Sequence, residues 1–246
     1  MSAASKPGSK PRLLDLYCGA GGASMGYARA GFSVFGVDIK PQPHYPFKFF
    51  LADALEFIKY GEPFDVDAIH ASPPCQRYST ATKRNGTQDA HPDLIAETRE
   101  LLEETGLPYV IENVVGAPLH EPSYICGSER GLIADGHRLR RHRAFETNWG
   151  WKPHPNWETN WCMCEAFALL PVLDITGGGP THKPRTDGGG GRPYKGTADQ
   201  ARRIMGIDWM TKAELNEAIP PAYTEFIGAQ LLSHISQTEM AAASGL

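Results

Sequence analysis

Two consecutive prolines, Pro73 and Pro74, close the most constraining stretch of this chain. Ahead of them Val66-Asp67-Ala68-Ile69-His70-Ala71 is nearly apolar, and such a run before a breaker reads as a buried parallel strand. Neither proline offers a backbone N–H and both hold φ near one value, so the strand stops and the following loop is stiff. Ser72-Pro73-Pro74-Cys75-Gln76 therefore presents one cysteine just past a strand's carboxyl end. Open α/β sheets bind their ligands at that end. A thiol set there suggests a nucleophile.

The rest of the N-terminal half alternates strands with helices. Residues 13–17 read as a strand, Cys18-Gly19-Ala20-Gly21-Gly22 as a glycine turn, and 23–30 as a helix closed by Gly31. A second strand over 32–37 has Asp38 at its tip, a third covers 47–51, and Asp53 caps a helix over 54–59. After the proline pair come an amphipathic helix over 93–105 and a strand over 107–111 tipped by Glu112-Asn113. This order predicts an α/β fold, a doubly wound, mostly parallel sheet covered on both faces. Residues 150–196 change texture, rich in Trp, Pro, His and Gly with one plausible strand over 172–175, and read as a small irregular insert. Helical pattern returns over 198–205 and 211–235, broken at Pro220-Pro221, so 12–149 and 197–238 are expected to form one domain. Residues 1–11 read as a flexible tail.

Bulk composition excludes little. At 41% hydrophobic the 246 residues can bury one core, and a net charge of -4 advertises no overall attraction to nucleic acid, although a local basic patch would suffice. Five cysteines without framework spacing favour a reducing compartment. With no signal peptide and no apolar stretch of bilayer length, a cytoplasmic monomer with no membrane contact is expected. Cys162-Met163-Cys164 near His154 gives poor tetrahedral spacing, so no metal is expected.

The glycine turn lets backbone N–H groups approach a ligand. Asp38 is placed to accept from two ribose hydroxyls, Tyr17 and Ile39 to sandwich an adenine, and Asp53 to accept from its amino group. That much fits NAD, FAD or S-adenosylmethionine alike.

Several segments, in order, are similar to the cytosine-5 DNA methyltransferase family. They are Asp15-Leu16-Tyr17-Cys18-Gly19-Ala20-Gly21-Gly22, Ser72-Pro73-Pro74-Cys75-Gln76 with Ser79, and Ile111-Glu112-Asn113-Val114. Arg141-His142-Arg143-Ala144-Phe145 and Ala218-Ile219-Pro220-Pro221 with Phe226-Ile227-Gly228 extend the match. The resemblance implies methyl transfer from S-adenosyl-L-methionine to carbon 5 of a cytosine flipped out of double-stranded DNA. It makes Cys75 the nucleophile, Glu112 the partner of the base's ring nitrogen, and Arg141 and Arg143 the pair of which one reaches the base oxygen. It assigns cofactor contacts to Tyr17, Gly19, Gly21, Gly22, Asp38, Ile39, Asp53, Ala54, Pro74, Leu94 and Ile219.

By the same likeness, residues 76–91 form the loop that closes over DNA, and 150–196, with Trp149, Trp151, Trp157 and Trp161, supply target recognition or simply their own small core. Arg130, Arg138 and Arg140 make the arginine segment locally basic, as phosphate contact needs. Leu139, Asp199-Gln200 and Asn216-Glu217 depart from the family's pattern at support positions. The alternatives are an RNA cytosine-5 methyltransferase and a catalytically inactive DNA-binding relative.

Overall fold

A computed structural model describes residues 9–60, 65–74, 93–151, 169–175 and 194–244. Cys75, the loop 76–91, Trp157, Trp161 and Cys162-Met163-Cys164 with His154 lie outside the described residues.

The chain runs β1 (Arg12–Leu16), α1 (Gly22–Ala30), β2 (Ser33–Asp38), β3 (Lys48–Leu51), α2 (Ala54–Tyr60), β4 (Ala68–Ala71), α3 (Ile95–Thr105) and β5 (Tyr109–Asn113). It continues through β6 (Ser123–Ile125), β7 (Ile133–Ala134), β8 (His137–Leu139), β9 (Arg143–Thr147), β10 (Val172–Leu173), α4 (Ala198–Met205), α5 (Lys212–Glu217) and α6 (Pro221–Ser244). Seven strands form one sheet in the order β3-β2-β1-β4-β5-β9-β6. The first five are parallel, and β9 runs antiparallel to both its neighbours. A small second sheet has the order β10-β8-β7.

The fold is the expected mostly parallel α/β sheet. The chain leaves β1 toward β2 and β3, then crosses to the other side for β4 and β5, which opens a crevice at the carboxyl ends of β1 and β4. Parallel strands buried on both faces lack polar alternation, as β4 shows with four buried residues in a row. On one face Leu13, Val34, Ala68 and Val110 pack with Tyr27 of α1 and with Tyr223, Ile227 and Leu231 of α6. On the other, Leu14, Leu16, Ile69 and Ile111 pack with Ile95 and Leu102 of α3. Trp151 belongs to the first of these clusters, against Phe145 and Phe226, and the partly buried Trp149 packs beside it on Trp151 and His234, so this pair joins the main core rather than a separate core of the insert. Among the described residues no helix is long and apolar enough to cross a membrane.

Helices α1 and α6 touch at backbone distance. A Cβ on Gly26 would lie 2.0 Å from Thr224 Oγ1 and 2.2 Å from the Pro221 carbonyl oxygen. Gly22, expected to serve a cofactor, has a duty in this packing, because its Cβ would lie 2.4 Å from the carbonyl oxygen of Ile219. Thr224 Oγ1 donates to the Ala23 carbonyl at 2.8 Å and fixes the crossing. The departure at Asp199-Gln200 keeps a structural purpose: Gln200 completes a capping box with Thr197 at the start of α4, and Asp199 pairs with Arg202 at 2.7 Å.

Gly26→Ala should push backbone against backbone. The expected loss is about 1–3 kcal/mol or more, read as a lower urea midpoint with an unchanged slope.

Candidate active site

Three strand tips build the site. After β1 the backbone turns through positive φ at Tyr17 (57°), Gly19 (49°) and Gly21 (85°), a path that favours glycine. Asp38, at the tip of β2, accepts from Gly19 N at 3.0 Å through Oδ2 and from Lys40 N at 2.9 Å through Oδ1. The turn is also held from far along the chain, since Trp209 Nε1 donates to the Ala20 carbonyl at 2.8 Å. Nothing lies within 4 Å of where a Gly19 Cβ would be, whereas Gly21 is packed on Tyr45 and Pro46.

Beside this turn an apolar shelf faces the open. Ile39 is 65% exposed and Leu51, paired with Asp38 across the strands, is 60% exposed. Tyr17, in the turn itself, has its hydroxyl 3.0 Å from Thr98 Oγ1 and its pKa pushed up to about 12 by burial. Asp53 caps α2 as expected, Oδ1 accepting from Leu55 N at 2.9 Å and Glu56 N at 3.1 Å, which leaves Oδ2 for a ligand. An acceptor carboxylate, an open glycine and an exposed apolar shelf suit a nucleoside. Leu94 flanks the start of α3, and Pro74 is the last described residue before Cys75. Ala54 and Ile219, expected to meet a cofactor, both have buried side chains.

Glu112 occupies the tip of β5 and is 5% exposed. Burial pushes its pKa up, while Arg143, a hydrogen bond from Ser72 and Arg141 pull it down. Arg143 Nε lies 2.9 Å from Oε1, yet Oε1 has no hydrogen bond, so the contact is an ion pair whose N–H is not aimed along the line of centres. A buried carboxyl oxygen thus keeps its hydrogen-bonding capacity for an incoming group. The neighbouring Asn113 donates through Nδ2 to the Pro73 carbonyl at 2.9 Å and ties β5 to the proline arm. Sequence reading assigned Asn113 no role, although an amide next to the carboxylate expected to act was a signal.

Arg141 has a different environment from Arg143. Its guanidinium donates to the carbonyls of Ile175 and, at 2.9 Å, Asn216, so it braces the segments around the site. Arg138 is likewise turned inward, on Leu170 O at 3.0 Å and Ser128 Oγ at 3.3 Å, and Arg130 stacks on Phe226 at 4.1 Å. Of that basic trio Arg140 alone is exposed. Leu139, standing where the family has glutamine, is fully buried.

Sequence reading also missed Asp15. Fully buried in β1, it accepts from Ser24 Oγ, which lies 2.8 Å from Tyr45 OH, while its Oδ1 has no hydrogen bond. Burial, with Asp38 and Glu112 nearby, pushes its pKa up to about 7. An aspartate among leucines in a central strand was the available clue.

Residues 12–123 match the family model described as C-5 cytosine-specific DNA methylase. That segment belongs to the cytosine-5 DNA methyltransferase family. Curated relatives agree. Type II methyltransferase M.AquIA of Picosynechococcus sp. is 32% identical over 123 residues, 43% of this chain and 49% of that protein. Type II methyltransferase M.AgeI of Thalassovita gelatinovora is 32% identical over 121 residues, 43% of this chain and 28% of that protein. The chain thus spans about half the length of the first relative and less of the second. A structure of Spodoptera frugiperda DNMT2, a mutant form, shares the fold at 16% identity with a TM-score of 0.55, covering 92% of this chain and 99% of that one. In this methyltransferase-family segment lie Asp15, the glycine turn, the proline arm and Glu112, while Arg141 and Arg143 follow it.

Because folding raises the pKa of Asp15 from 3.8 to about 7, the folded state binds its proton more tightly. The stability it contributes is complete below pH 4 and lost as pH rises toward 7, on the order of 4 kcal/mol at most. Asp15→Asn should flatten this part of the stability–pH curve, measured by urea unfolding between about pH 4 and 8.

Proposed function

We propose that the chain is a DNA cytosine-5 methyltransferase that works through Cys75 on a flipped cytosine of double-stranded DNA, as a cytoplasmic monomer. The observation that carries this reading is a buried Glu112, paired with Arg143 at 2.9 Å and joined through Asn113 to the carbonyl of Pro73, two residues before Cys75. A general carboxylate site would not need a nucleophile's loop tied to it.

Carbon 5 of cytosine is a poor nucleophile, so a thiolate must first add to carbon 6. A base within a duplex hides that carbon, and extrusion into the pocket exposes it. A free thiol of pKa about 8.5 is only a few per cent ionised at neutral pH. Glu112 assists by holding a proton at the base's ring nitrogen 3 as the sulfur adds, and its raised pKa favours the protonated form needed there. Arg143 offers its guanidinium to the pyrimidine oxygen and keeps Glu112 in place. Arg141 supports the pocket wall. S-adenosyl-L-methionine, when bound, supplies an electrophilic methyl group. Tyr17, Ile39, Asp38, Asp53 and the backbone at Gly19 would hold it, and the exposed shelf with its adjoining carboxylate fits an adenosine.

Expression in a host lacking cytosine methylation, followed by mass spectrometry of hydrolysed DNA, tests the proposal. 5-Methylcytosine should appear with the native chain and vanish with Cys75→Ala. Glu112→Gln should lower the rate by about 100-fold or more. Methylation of tRNA in place of duplex DNA would move the substrate to RNA. No methylated base and no covalent adduct with fluorocytosine DNA would leave only a binder.

A further inference from the structure

Tyr45 stands in the connection from β2 to β3, the segment that starts at the exposed Ile39 and carries Pro41, Pro43 and Pro46. The site as described gives it no duty. Its ring nevertheless fills the space that two glycines leave. A Cβ on Gly21, in the glycine turn, would lie 3.0 Å from Tyr45 Cδ2, and one on Gly36, in β2, would overlap the phenol end of the same ring. A side chain at position 36 would therefore expel the ring from a close-packed place. Phe47 and Phe49 flank it, each with ring centroids 5.8 Å away.

The hydroxyl ends on a buried polar pair. Tyr45 OH lies 2.8 Å from Ser24 Oγ, and Ser24 Oγ donates to Asp15 Oδ2. Asp15 is paired with Gly36 across β1 and β2, so the three side chains meet over one spot of the sheet. An ionised Asp15 only accepts and takes the single proton of Ser24, so Tyr45 O–H must donate to Ser24 Oγ. Burial, with Asp15 and Cys18 nearby, pushes the phenol's pKa up and keeps that proton in place. The residues on either side are anchored as well. His44 Nδ1 is 2.8 Å from Glu214 Oε1 of α5, and Pro46 Cδ would lie 2.9 Å from a Gly21 Cβ.

We propose that Tyr45 is a positioning residue of the cofactor site, bolting the glycine turn and the start of α1 to β2 so that the Gly19 amide stays on Asp38. Nothing packs where a Gly19 Cβ would be, so the place of Gly19 is set through its neighbours. Trp209 holds the carbonyl of Ala20, and Tyr45 holds Gly21 and, through its hydroxyl, Ser24. The inference rests on the proposed reading of this crevice as the site of S-adenosyl-L-methionine.

Two measurements on the full chain test it. Amide hydrogen exchange without ligand, read by mass spectrometry, should be about tenfold or more faster over residues 18–24 in Tyr45→Ala and unchanged in β5 and α3. Tyr45→Phe, which keeps the ring, should show a smaller increase over the same residues. Calorimetric titration with S-adenosyl-L-methionine is the second. Tyr45→Phe and Ser24→Ala should each weaken binding about fivefold, the loss of one hydrogen bond, and Tyr45→Ala should weaken it further. Both single changes break the same bond, so the double variant should bind no more weakly than the weaker of the two. In turnover, KM for S-adenosyl-L-methionine should rise while kcat stays native. Native exchange over 18–24 in the Tyr45 variants, exchange raised equally in every element, native affinity in both single variants, or losses that add in the double variant would overturn the proposal. If Tyr45→Ala does not fold, Tyr45→Phe and Ser24→Ala decide by the same two readings. If the native chain binds no S-adenosyl-L-methionine, the exchange result still decides whether Tyr45 pins the turn, and only the proposed cofactor is lost.

Discussion

One buried carboxylate governs the architecture. Glu112 at the tip of β5 is stable in the interior only with an arginine beside it, and that arginine arrives on β9, which is placed antiparallel between β5 and β6. The register matters on both faces. Glu112 is paired across the strands with Phe145 and Ile111 with Glu146. Glu146 therefore points to the opposite face, where Arg99 of α3 meets it at 2.6 Å and 2.7 Å, and His120 N donates to it at 2.7 Å. A slip of β9 by one residue would turn Glu146 away from Arg99 and Arg143 away from Glu112. The second ion pair thereby locks the strand that delivers the first.

The glycines of the turn divide the labour. Gly19 leaves space, Gly21 accommodates Tyr45 and Pro46, and Gly22 lets the backbone before α6 approach α1. A single motif thus serves ligand access and helix packing through different members. The same economy appears in Asp38, which holds the turn through backbone N–H groups while retaining lone pairs at the mouth of the crevice.

The parallel half of the fold was readable because its signals are local. Apolar runs, Gly31 after α1 and Asp53 before α2 each mark a boundary, and β1 to β5 and α1 to α3 appear within a few residues of expectation. The strands β6 to β9 were not anticipated, since they are short, pair antiparallel and carry charged residues whose partners lie on other elements. Within the site, residue types gave Glu112 and the arginine pair but not their division: only the fold shows Arg141 bracing carbonyls and Arg143 facing Glu112. Tyr45 was hidden for another reason. Among prolines a tyrosine looks like one more exposed loop residue until Ser24 and Gly36 are found beneath it.

The tie between Thr224 and Ala23 joins residues 201 positions apart, and Trp209 reaches back to Ala20 across 189. The cover of α1 is thus synthesised long after α1 itself. Until α6 emerges from the ribosome, that face of the nascent sheet is only partly covered by α1, and Tyr27 lacks Tyr223, Ile227 and Leu231 to pack against. Contacts of such span slow the search for the native state. Any cell that makes this protein quickly would have to shield that face, so chaperone demand is written into the order of its helices.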